Sequence, residues 1–334
     1  MNLVRKATYA VIVPSLALLA VSGLRADVTI RYQSEFKPAA ALLPLIGPLM
    51  KTLETATATS IQMKGNKGYT AAAHWTEIFD FVKGDVTLVD PAHKTFAELP
   101  VSQLGEKMAA AIPQMSTAQN DSMQQAMASI KTNVESKVTG KTAEIQGVQA
   151  EEREVTLTMD IPMPAQMNQT GPTMKMVMHV WTAKKEEALR VPAIRELTGY
   201  QTWQRYVMNP VGILEKLTAK MPGMSNAITP MLEETFKNPS VILRTHIEIY
   251  MPFLATLAKQ MAAQGKSMPI TIDPDAPLME MNQEVTELSS APVDASLFEV
   301  PKDYSAIPVD DMVKGMIKAQ GAAMAPAAAP AESK

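Results

Sequence analysis

Methionine is the side chain this sequence offers in excess. The 334 residues include 25 Met, and Met174-x-Met176-x-Met178 sets three thioethers two residues apart. On an extended strand that spacing puts all three on one face. Three readings are open for such a group. Met can replace Leu in an ordinary core, line a deformable apolar site, or ligate the soft ion Cu(I). Pairs at helical spacing, Met108/Met115 and Met123/Met127, fit the first reading. His179 neighbours Met178 but points to the other side of a regular strand, which weakens the metal reading.

The remaining chemistry is sparse. The four His are His74, His93, His179 and His246, and none forms a His-Glu-x-x-His pair. His179 and His246 fall on expected strands and could meet across a sheet; a structural or surface His is the simpler reading. There is no Cys, which removes disulfides, thiol catalysis and Cys-based zinc sites. No Gly-x-Ser-x-Gly and no phosphate-binding glycine loop occurs. Ser34-x-x-Lys37 matches a β-lactamase-type fragment, but its partner motifs are missing and it falls on a strand. The acid pairs Glu151-Glu152, Glu186-Glu187 and Glu233-Glu234 read as solvated faces, and Asp310-Asp311 as a favourable helix start. No catalytic residue, metal or cofactor is expected, and the chain reads as a non-enzyme.

The elements that must position these side chains begin after an address. Residues 1–26 carry Arg5 and Lys6, an apolar run from Ala10 to Val21, and then Ser22-Gly23-Leu24-Arg25-Ala26. That is the layout of a secretory signal peptide with cleavage after Ala26, which predicts a periplasmic or secreted protein. Losing Arg5, Lys6 and Arg25, and no acid, would move the net charge from −3 to −6. Such a balance gives no footprint for nucleic acid. Pro or charge interrupts every later apolar stretch, so the remainder is not expected to span a membrane.

Val28, Ile30 and Tyr32 alternate with polar residues, which predicts an antiparallel strand over 27–36. Strands are predicted over 57–64, 69–73, 75–81, 85–89 and 94–99, with turns at Gly65-Asn66-Lys67-Gly68, Lys83-Gly84-Asp85 and Asp90-Pro91. A helix capped by Ser102 should start near Gln103, and a second should cover 120–132. Strands should resume after Gly140, with Val155, Leu157, Met159 and Ile161 on one face, and again over 173–183. Residues 185–236 read as a helical insert, 240–250 as a strand, and Pro252 as the first turn of a helix. A strand over 278–288 and a helix over 306–320 follow, then a disordered Ala/Pro tail from 321 to 334. The domain 27–305 is expected to be α+β: a strongly curved antiparallel sheet, an open half-barrel, with helices on its concave face.

Three local motifs resemble a family of exported bacterial proteins. They are Leu88-Val89-Asp90-Pro91-Ala92-His93-Lys94-Thr95-Phe96, Glu144-Ile145-Gln146-Gly147-Val148-Gln149-Ala150, and Ser296-Leu297-Phe298-Glu299-Val300-Pro301-Lys302-Asp303-Tyr304. In plan these proteins are similar to LolA-like periplasmic carriers of lipoproteins and lipids. The resemblance implies a lipid or acyl ligand, or a lipoprotein, held on the apolar face, and brings no catalytic residue. The residues expected to line that face are Val28, Ile30, Tyr32, Val155, Leu157, Met159, Met174, Met176, Met178, Leu243 and Ile247. Two other readings are an envelope scaffold or adaptor with a filled core, acting on a protein partner, and a Met-rich Cu(I) binder.

Overall fold

The computed structural model describes residues 27–42, 58–71, 75–111, 129–160, 172–208, 212, 229, 234, 240–265 and 273–324. The expected signal peptide, the Met123/Met127 stripe, His74, Ile161, most of the insert beyond Met208 and the last ten residues lie outside these.

Alternation writes the first half of the sheet. β1 (Val28–Pro38) leads to β2 (Ala58–Lys64), β3 (Lys67–Ala71), β4 (Thr76–Asp80), β5 (Asp85–Asp90) and β6 (Thr95–Pro100). The turns are those their chemistry predicts. Gly65 sits at φ +57 between Lys64 and its partner Lys67, and Gly84 at φ +74. The Asp90 carboxylate accepts hydrogen bonds from the Ala92 and His93 amides at 2.9 and 3.1 Å. Helix α1 (Val101–Ala111) then carries the chain away from β6.

The second half runs through β7 (Lys131–Ile145), β8 (Val148–Asp160), β9 (Met174–Ala183), α2 (Glu187–Arg190), α3 (Pro192–Trp203), β10 (Ile242–Tyr250), α4 (Pro252–Ala263), β11 (Met279–Ser289), β12 (Ser305–Ala306) and α5 (Val309–Met324). A π-turn over Gln204–Met208 extends α3. Pro192 and Pro252 each occupy a first helical turn, where the missing N–H costs nothing.

The described strands form one twelve-stranded sheet, ordered β12-β6-β5-β4-β3-β2-β1-β11-β10-β9-β8-β7. It is open, with β12 and β7 at its edges. Two meanders flank β1, and the chain crosses from one edge to the other between β6 and β7. All neighbours are antiparallel except β12, which pairs parallel with β6. The fold is therefore α+β around a mixed sheet.

Helices cover one face of the first meander. Phe79, Val86, Leu88, Ala97 and Leu99 pack against Leu104 of α1 and Met312 and Val313 of α5. Beside them Val28, Ile30, Met63, Leu243 and Val285 pack with Ile194, Leu197 and Tyr200 of α3. Each such side chain contributes roughly 1.5–3 kcal/mol on burial. On the opposite face, Ile78 and Val89 meet Val293 and Phe298. Two of the three resemblance motifs meet there. Lys94 pairs with Asp303 at 2.8 Å, and Phe96, Phe298, Val300 and Tyr304 pack together. The third motif is the β7–β8 hairpin turn, with Gln146 and Gly147 at φ +51 and +73. All three motifs hold the fold together.

Several expectations are corrected. Ser102 lies inside α1, which starts at Val101, directly after β6, and the amide of Val101 donates to Gly84 O at 2.9 Å. Residues 131 and 132 belong to β7, so the helix expected over 120–132 cannot reach that far. Strand structure does not wait for Gly140. β7 runs through it with an irregularity between Val138 and Thr142, where Gly140 takes φ +79. This edge strand alternates half-buried and exposed residues, with Val134 its only large apolar side chain before Val138. The last helix continues to Met324, into the segment expected to be disordered.

Candidate functional site

Register decides what the Met-rich strands build. Across five neighbouring strands, Phe36 pairs with Met281, Met281 with Ile247, Ile247 with Met178, and Met178 with Val155. The next row on the same face is Pro38, Met279, Ile249, Met176, Leu157 and Val134. Met174 and Met159 pair directly one step further. Val155, Leu157 and Met178 are buried. Phe36, Met279, Met281, Ile247, Ile249, Met176, Met174 and Met159 are only half-buried. The result is a broad apolar patch of thioethers and branched side chains.

The eleven residues expected to line one hollow do not all reach this patch. Val155, Leu157, Met159, Met174, Met176, Met178 and Ile247 do. Val28, Ile30 and Leu243 are filled core under α3, each with no measurable exposure. Tyr32 lies between the two regions, and its hydroxyl donates to Ile242 O at 3.1 Å. Sequence reasoning missed Phe36, Ile249, Met279 and Met281. Their signal was present: Phe36 extends the alternation of β1, and Met279-x-Met281 repeats the spacing of the other Met group.

Between the patch and the helix-covered core runs a polar band. Ser34, Gln283 and Thr245 form its row, with Gln283 donating to Ser34 at 3.2 Å. Further along the same face stands Glu77, between Thr70 and Leu88. Its carboxyl is crowded by protein, though not fully sealed, and no hydrogen bond or ion pair reaches it among the described residues. Burial alone pushes its pKa up to about 7. Burial also raises the Tyr32 and Tyr200 hydroxyls, and Tyr200 accepts from Gln204 Nε2 at 2.8 Å.

The reverse side of the Met-rich strands is polar. His246 pairs with His179 in register, and their rings stack at 5.9 Å. His179 Nδ1 lies 3.1 Å from Glu152 Oε1, and His246 Nδ1 lies 2.6 Å from Asn282 Oδ1. Glu152 is 3% exposed. Its burial opposes ionisation, but a 2.6 Å hydrogen bond from Thr139 and the Lys141 ion pair outweigh that and hold its pKa below the ordinary value. The two His thus meet as their spacing allowed, each with a structural partner. Among the described residues no group of three or more His, Asp or Glu could hold a metal ion.

Described residues line a cavity of about 180 Å³ between α3 and the β2–β3 turn, and another of about 160 Å³ beside β8 and β9 near Glu234. No described helix is long and apolar enough to cross a membrane. The chain matches no protein-family model. It also matches no curated protein.

Proposed function

We propose that this chain is an exported, non-catalytic binding protein for an apolar ligand, a lipid or an acyl chain, built on a LolA-like plan. In this reading the open sheet curves into a half-barrel, the helices sit on its concave face, and residues 1–26 direct export. The observation that carries it is the pair of apolar rows at Phe36–Val155 and Pro38–Val134, which keep half-buried Met and Ile side chains. At about 4.8 Å between strands, the five-strand row is roughly 19 Å long and the six-strand row roughly 24 Å, the reach of a long acyl chain. Each methylene laid on it contributes about 0.8 kcal/mol. Met adapts to a flexible chain at little cost in strain.

The test is native mass spectrometry of protein purified from the periplasm, with uptake of a fluorescent fatty acid. Co-purified lipid, displaced by the probe and lost in Met281→Asp, is the expected result. Protein that is empty and takes up no probe refutes the reading.

One observation favours the scaffold or adaptor reading: the cavity beside α3 and the one beside β8 and β9 each fall below the roughly 300 Å³ of a small-molecule pocket. That reading predicts a partner protein recovered with the chain and no lipid. The Cu(I) reading is less favoured. Ile247 and Ile249 separate the Met of β9 from those of β11, leaving Met159–Met174 as the direct pair.

A further inference from the structure

The cavity of about 180 Å³ lies away from the Met-rich rows. Helix α3 gives it Glu196, Gly199, Tyr200 and Trp203, a spacing of three, four and seven that defines one helix face. Phe81 and the Gly65-Asn66 turn close the other side. Tyr200 and Trp203 lie nearly parallel at 6.2 Å, and Phe81 tilts against them at 5.5 and 4.9 Å. Gly68 makes room for Phe81, whose ring lies where a Cβ would come within 2.6 Å of it. Among the described residues Glu196 is the one charged residue in the lining, and its only described ion pair is a loose one to Arg195 at 3.5 Å. A second carboxyl, Glu77, stands on the same face of β4 as Phe79. No Lys or Arg lines the cavity among the described residues.

Ring faces are negative, and a carboxylate at a small aromatic-walled cavity selects a positive group that water holds weakly. We propose that this cavity is a binding site for an organic cation, a quaternary or substituted ammonium, with Phe81, Tyr200 and Trp203 as its walls and Glu196 as its counter-charge. An anion would meet acidic repulsion, and a metal ion would find one carboxylate where several oxygens are needed. The ammonium could be a free ion or the end of a lipid headgroup, and the chemistry at the cavity is the same.

Calorimetric titration of the intact protein with choline tests it, beside the uncharged isostere in which carbon replaces nitrogen. Choline should bind, the isostere about tenfold more weakly or worse. Gly199→Leu supplies the control that does not depend on the core, because a Cβ at Gly199 meets no atom within 4 Å. It should fill the cavity and abolish binding while the melting temperature holds or rises, since Gly is a poor helix residue. Glu196→Gln should weaken choline several-fold. Absence of choline binding up to tens of millimolar, equal binding of the isostere, or binding unchanged by Gly199→Leu overturns the proposal. Lysophosphatidylcholine and lysophosphatidylglycerol of equal chain length then separate the sources. Preference for the former assigns the site to a headgroup; parity with choline binding retained assigns it to the free ion. Lysolipid binding without choline binding sinks this site and leaves the Met-rich patch standing; choline binding without lysolipid binding does the reverse.

Discussion

Replacing Glu77 by Gln removes one ionisable group and little else. The wild-type carboxyl has an ordinary pKa of 4.5 and is pushed up to about 7 in the fold. At roughly 1.4 kcal/mol per unit, that difference corresponds to about 3 kcal/mol. The folded state holds the proton more tightly, so this contribution is fully present below pH 4.5 and is lost as pH rises through 7. Gln is neutral throughout and close in shape. Urea unfolding of both proteins at several values between about pH 4 and 8 gives the comparison. The Gln variant should gain on the wild type by up to about 3 kcal/mol across that range, with most of the gain between 5 and 8. Asp27, Asp90, Glu152 and Glu187 are held below their ordinary values, so their effects fall at lower pH, have the opposite sign, and cancel in the difference. Parallel stability curves for the two proteins would show that Glu77 is solvated or paired, and the burial argument would fail.

Two further substitutions probe the scaffold. Gly68→Ala drives a methyl group into the Phe81 ring and should cost about 1–3 kcal/mol by urea unfolding, as overpacking does. A neutral result would mean that Phe81 moves freely. Glu152→Ala strips the partner from Thr139 and His179 and should cost about 2 kcal/mol near neutral pH. The folded Glu152 pKa is depressed, so its stabilisation exists above 4.5 and disappears as pH falls. Variant and wild type should therefore converge in acid, and a constant gap would assign the loss to packing instead.

Much of the local structure was legible because it depends on near neighbours. Alternation in Val28-x-Ile30-x-Tyr32 marks β1, the Gly65 turn marks a hairpin, and Pro252 marks the start of α4. β7 was half missed because an edge strand with few apolar residues carries little periodic signal. The Met-rich patch was legible as a residue type and a spacing, and seven of its members were identifiable from that alone. Its extent was not. Phe36 and Met281 are 245 positions apart in the chain, yet neighbours in the sheet.

What the amino-acid sequence determined by itself is most of the strands, their turns and which side chains share each of those strands' faces. Which strands lie side by side, that α3 covers Val28, Ile30 and Leu243 while the Met-rich rows stay half-open, and that Glu77 loses its water were decided only by the tertiary structure. Periodicity is a property of one segment and its backbone geometry. Pairing, coverage and desolvation depend on which distant surfaces exclude water together, and that outcome belongs to the whole chain.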